Sequence, residues 1–202
     1  MKKIGKLGII GVSVAMMLSM AACGDDKDNG SKDTTTEVST EAAVEVADSL
    51  EILTTVWGTY GENEIFAIAG GDYNNSVMDA PGVFDVADTE SLDAMLGVPA
   101  DGAAMIDGAA SMMHMMNANT FTAGAYHMAD PANQQAFCDK LKDSIMNRQW
   151  MCGFPDTLIV VTVGDSYVVS AFGNAEIIET FKTKLTAEYP AASVVYEESL
   201  VQ

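Results

Sequence analysis

Apolar residues recur at steps of four and three from Val46 through Leu50, Leu53 and Trp57 to Tyr60, a narrow helical stripe that Gly61 closes. Thr40 is placed to cap that helix, with Glu41 and Glu45 near the positive end of its dipole. Residues 65–69 then read as a short buried strand ended by Gly70-Gly71, and 83–86 as another. Thr89 caps a short helix carrying Leu92, Met95 and Leu96, which Gly97 and Pro99 close. From residue 110 the pattern is more regular. Residues 111–116 and 121–128 predict two strands around the turn Asn117-Ala118-Asn119-Thr120. Asp130 and Pro131 open a helix running to Gln149, with Phe137, Leu141 and Ile145 as its core stripe. Residues 157–163 and 167–172 predict strands about a Gly164-Asp165 turn. Asn174 caps a helix with Ile177, Ile178, Phe181 and Leu185 on one side, Pro190 ends it, and 193–196 form a last strand.

From residue 121 the elements therefore run strand, helix, strand, strand, helix, strand. That is the βαββαβ order of a ferredoxin-like unit. The expected class is α+β: an antiparallel sheet with helices packed on one face, extended by the N-terminal helix and the extra strands.

The N-terminal segment, residues 1–22, carries a different pattern. Lys2, Lys3 and Lys6 precede an uncharged apolar stretch, residues 7–22, and Met20-Ala21-Ala22-Cys23 follows. This is the layout of an export signal, and the stretch is short of the roughly 20 residues that cross a hydrocarbon core. The run into Cys23 resembles the lipobox of bacterial lipoproteins. The resemblance implies cleavage before Cys23, a lipid on its thiol, and attachment at the extracytoplasmic face of the cell membrane. Residues 23–39, rich in Asp, Ser, Thr, Lys and Gly, read as a flexible tether spanning roughly 20–25 Å on average. Residues 40–202 make one domain.

Charge narrows the partners. Without residues 1–22, which hold three of the ten basic residues and no acidic one, 7 basic side chains face 29 acidic ones, a formal net charge of −22. From Asp33 to Asp139 there are 18 acidic residues and no Lys or Arg. Nucleic acid is excluded, because neutralising phosphates needs those cations. Anionic headgroups would be repelled, so the lipid must hold the chain to its membrane. Cys138 and Cys152 are expected as free thiols, the first buried. A helix reaching Gln149 carries the chain about 16 Å beyond Cys138, and three more residues return at most about 10 Å.

Little in the sequence points to chemistry. Ser111-Met112-Met113-His114-Met115-Met116 holds soft ligands suited to Cu(I), and strand alternation puts Met112, His114 and Met116 on one face. Core packing is the stronger expectation for so many methionines, so no metal or other cofactor is assigned. His127 shares the face of His114 if the hairpin loop is even in length, and as an acid or base it would want an oriented carboxylate. The segment 148–155 is the best binding candidate: Arg148, Trp150, Cys152 and Phe154 place the only arginine, two aromatics and a thiol in one loop. Its competing reading is a plug over one end of the core, with Arg148 answered by nearby carboxylates. There is no Gly-x-Ser-x-Gly elbow, P-loop, Ser-x-x-Lys or zinc-spaced cluster.

With the helix ending in Arg148 and Gln149, Phe154-Pro155, the Gly-x-x-Tyr turn from Gly164 to Tyr167, and Phe181, residues 130–196 resemble small Gram-positive lipoproteins carrying a domain of unknown function. The resemblance implies an extracytoplasmic location and no established activity. The expectation is a lipid-anchored binding or accessory protein of the cell envelope with a protein or small-ligand partner. An envelope enzyme and a Met/His copper-binding lipoprotein are the alternatives.

Overall fold

The strands over residues 157–163 and 167–173 are adjacent interior strands of one antiparallel sheet of eight strands. The computed structural model describes residues 46–151 and 153–201; the signal segment, Cys23, the tether, the Thr40 cap and Cys152 lie outside them. In chain order the elements are α1 (Ser49–Gly58), β1 (Ile68–Gly70), β2 (Val77–Met78), β3 (Gly82–Phe84), α2 (Thr89–Ser91), α3 (Ala100–Ala103), β4 (Ile106–His114), β5 (Phe121–Met128), α4 (Gln134–Met146), β6 (Thr157–Val163), β7 (Tyr167–Gly173), α5 (Ala175–Glu188) and β8 (Ala192–Ser199). A π-helical turn, Leu92–Leu96, continues α2, and left-handed Gly97 ends it.

The chain order from β5 to β8 is the expected one, but its lateral arrangement and helix placement are corrected. The strands lie in the order β2-β1-β4-β5-β7-β6-β8, with β3 also paired to β4. In the ferredoxin-like arrangement β8 would pair with β5. Here β4 takes that edge in a seven-pair hairpin register, and β8 lies beside β6 instead. Both crossovers, β5 to β6 and β7 to β8, thus move the same way across the sheet, each joining two parallel strands, and the first pair runs opposite to the second. Right-handed connections then put their helices on opposite faces. The cores agree. Phe137, Leu141 and Ile145 of α4 pack with Leu158, Val160, Val168 and Phe172. Ile178, Phe181 and Leu185 of α5 pack with Ile52, Leu53 and Val56 of α1 over Ile159, Val161, Val169 and Ala171. The helices cover both faces, not one.

Local boundaries also move. Asp48 is the working cap of the first described helix, its carboxylate accepting from the Glu51 N–H at 2.8 Å, and residues 46–48 are not helical. The first strand spans Ile68–Gly70, and Ile65 is exposed. Helix α4 stops at Met146, where the Asn147 side chain donates to the Asp143 carbonyl at 2.7 Å. Strand β4 begins at Ile106 rather than at Ser111, because Gly108, Ala109 and Ala110 are too small to advertise a strand. Among the described residues no helix is long and apolar enough to cross a membrane.

Candidate functional site

A β-bulge builds the most developed site. In the β4–β5 ladder Ile106 faces Met128 and Gly108 faces His127, so Asp107 is an extra residue. The bulge reverses the strand's phase: Ile106 and Ala109, three apart, pack in the same core. It also turns the Asp107 carboxylate onto Nδ1 of His127, where the two hydrogen-bond. The other side of the His127 ring rests against Tyr167, with centroids 4.8 Å apart. A carboxylate on Nδ1 favours the tautomer protonated there, leaving Nε2 as an acceptor.

The start of α1 packs beside this pair, next to Gly108. A Cβ on Gly108 would stand 3.3 Å from the Cβ of His127 and 3.7 Å from the Ser49 hydroxyl oxygen. Ser49 is buried, and among the described residues its hydroxyl, closed off from solvent, has no hydrogen-bond partner. Around it runs a cleft of about 770 Å³, within the range of small-ligand sites. Its polar lining includes Asp48, Ser49, Asp72, Asp85, Asp107 and His127. Leu50, Val83, Phe84, Val86 and Ala109 supply apolar wall.

Asp72 holds one side of the cleft in shape. Oδ1 accepts the N–H groups of Asn74 and Asn75 at 2.7 and 2.9 Å, Oδ2 accepts the N–H of Asp85 at 3.0 Å, and the Asn75 amide reaches both oxygens. Burial alone would raise this carboxyl, but these hydrogen bonds together outweigh it and hold it below the usual carboxylate range. Gly71 precedes it at φ +83°, a conformation that L side chains resist. The carboxylate of Asp72 is therefore spent on its own loop; Asp48, Asp85 and Asp107 stand exposed at the cleft, hydrogen-bonded to the Glu51 N–H, the Ala87 N–H and His127 in turn.

His127 thus acquires the oriented carboxylate a histidine acid or base needs, from a residue that local reading passed over. Asp107-Gly108 could have signalled the bulge; nothing local signals Ser49. The two histidines share the α1 face but not a site. His114 lies six positions along β4 from the partner of His127, about 20 Å at roughly 3.3 Å per residue. His114 stacks on Phe66, and its Nδ1 accepts the N–H groups of Met116 and Asn117 at 3.2 and 3.3 Å. Met112 is wholly buried under α1, whereas Met116 is 79% exposed in the turn beyond the strand. Among the described residues no three His, Cys, Asp or Glu side chains stand close enough to hold a metal ion.

The Arg148 loop packs one aromatic inward and leaves the other outside. Trp150 is half-buried against Phe172, ring centroids 5.1 Å apart, as a plug would be. Met151 and Phe154 are exposed. Among the described residues no carboxylate answers Arg148: its Nη2 donates to the carbonyls of Ala94 and of Asp93, which also accepts the Gly97 N–H at 3.0 Å, and its guanidinium lies 5.5 Å from the Trp150 ring. The smaller hollow beside it has Arg148 itself on its walls with Met146, Trp150, Phe154, Leu200 and Val201. Cys138 is buried, and burial first, then the Asp139 charge, push its thiol up to about 12.

No protein-family model matches this chain, and comparison with curated proteins and with solved structures likewise returns no match.

Proposed function

We propose that this chain is a lipid-anchored binding protein of the extracytoplasmic face of the cell membrane, held through Cys23 and taking its ligand in the cleft beside α1. The export-type segment, the run into Cys23, the tether and the resemblance over residues 130–196 support the location. The observation that carries the binding reading is the cleft itself, about 770 Å³, with apolar walls beside the His127 imidazole that Asp107 orients. Native mass spectrometry of the full chain, extracted in detergent from its own host, should show a stoichiometric retained small molecule. Gly108→Leu, which fills the space between His127 and Ser49, should abolish retention. If no ligand is retained, or if Gly108→Leu retains it equally while folded, the cleft is not the site.

One observation favours a second reading, an envelope enzyme with His127 as general base: the Asp107 carboxylate orients its imidazole. A reaction product in the retained mass, absent from His127→Ala, would support this reading over simple binding.

A further inference from the structure

We propose that the Arg148 loop forms a second ligand site, separate from the cleft beside α1, for a small monocarboxylate with an apolar body. Two hollows meet at this loop. One, of about 330 Å³, is walled by Arg148 with Trp150, Phe154 and Leu200. Its neighbour, of about 250 Å³, runs from the same Arg148 and Trp150 to Tyr73, Met113 and Met151. None of these residues lines the cleft beside α1. The larger hollow alone is within the range of small-ligand sites, and apolar walls around a few polar groups are their usual make-up. The apolar surface here is open to a ligand, since Tyr73, Met151 and Phe154 are exposed.

Charge decides what the site takes. The chain holds 29 acidic residues against 10 basic ones, yet among the described residues no Asp or Glu lines either hollow. Arg148 is the one charged side chain on their described walls. Every described lysine has a carboxylate partner: Lys140 pairs with Asp101, Lys142 with Asp143, Lys182 with Glu179 and Glu197, and Lys184 with Glu64. Among the described residues no carboxylate, that of Asp93 included, stands within ion-pair distance of Arg148. The guanidinium is also fixed where the hollows meet. Its Nη2 is held by the Asp93 and Ala94 carbonyls, Ala94 lines the smaller hollow, and the Trp150 ring 5.5 Å away lines both. Nη1 and Nε donate to nothing among the described residues, so N–H groups remain for an incoming oxygen. The Asn119 amide ties the loop by donating to the Met151 and Gly153 carbonyls, each at 3.0 Å, so the walls are set before a ligand arrives. A polyanion would meet a single cation and then the field of a strongly acidic chain. A single carboxylate is answered by Arg148 while its apolar body lies against Trp150 and Phe154.

Phenylpropanoate, phenylpropanamide and phenylpropylamine share one body and differ in charge, so they separate the classes. Each is titrated into the ¹⁵N-labelled full chain in detergent micelles, and the indole N–H resonances of Trp150 and Trp57 are followed. Trp57 packs with the α1 core on the other face of the sheet, so it reports general association with protein or micelle. Phenylpropanoate should shift the Trp150 resonance saturably and leave Trp57 in place, with the amide and the amine about tenfold weaker or more. Its affinity should fall about tenfold or more in Arg148→Met, the fold-change of one charged hydrogen bond. Unchanged dispersion of the remaining amides shows that the variant is folded, and the comparison of probes needs no variant. Tighter saturation by the amide or the amine would overturn the anionic class, as would an unchanged phenylpropanoate affinity in folded Arg148→Met. No shift of Trp150, or Trp57 moving in step with it, removes the site. A Trp150 resonance that moves with protein concentration before any probe is added gives the patch to a second copy of the chain and overturns the proposal too. The Gly108→Leu retention test judges the cleft beside α1 separately.

Discussion

Replacing Asp72 with Asn tests the cleft's architecture through a single atom exchange. The native carboxylate receives three backbone N–H groups and one side-chain amide, with Asp85 reached from a distant point of the loop. Asparagine keeps one acceptor oxygen. If that oxygen stays with Asn74 and Asn75, its NH₂ faces the Asp85 N–H, donor against donor. A hydrogen bond to a charged group is worth about 1.5–3 kcal/mol, and a neutral one about 0.5–1.5. Losing one charged bond and weakening the rest should therefore cost about 2–4 kcal/mol at pH 7, a large share of a typical 5–15 kcal/mol stability. Urea unfolding of both proteins would measure it. The pH dependence follows from the depressed folded-state carboxyl. Its stabilisation is fully present above the unfolded value near 3.9 and is lost as pH falls through the lower folded value. The gap between wild type and Asp72→Asn should therefore narrow towards pH 3. A difference at pH 7 under about 0.5 kcal/mol, the size of an ordinary surface substitution, would show that Asp72 does not hold this loop. So would a difference unchanged at pH 3.

Three further outcomes are expected for the core and loop, and one for the anchor. Trp150→Ala should cost about 2–3 kcal/mol in a denaturant melt, below the ~3–5 of a fully buried aromatic because Trp150 is only half-buried; an unmoved midpoint would make the loop a partner site rather than a plug. Arg148→Ala should cost about 1 kcal/mol, since it frees the Asp93 and Ala94 carbonyls to water, and a loss above ~3 would mean these bonds are not solvent-replaceable. In the native protein at pH 8, Cys138 should resist a thiol reagent until the chain unfolds, as read by peptide mass mapping, and fast native labelling would contradict its burial. Cys23→Ser should leave the protein out of the membrane fraction or uncleaved, and a cleaved, membrane-retained variant would refute the anchor.

Much of the element order was legible because its causes are local. The stripe Phe137, Leu141, Ile145 and the Asn174 cap act within a turn or two of backbone, and all three apolar residues are buried as their spacing implies. The strands Phe121–Met128 and Thr157–Val163 begin and end where their composition does. Even the second face was faintly visible: the unbroken run from Leu158 to Val161 leaves neither side of β6 for water. What the sequence alone could not supply was pairing. Whether β8 joins β5 or β6 depends on β4, far earlier in the chain, occupying the free edge of β5, and that choice sends α4 and α5 to opposite faces. The cleft has the same origin. Asp107 and His127 meet through a bulge between strands, and Ser49 arrives from a helix much nearer the N-terminus. Side chains from distant elements carry no mutual periodicity, so only the folded chain brings their chemistry together.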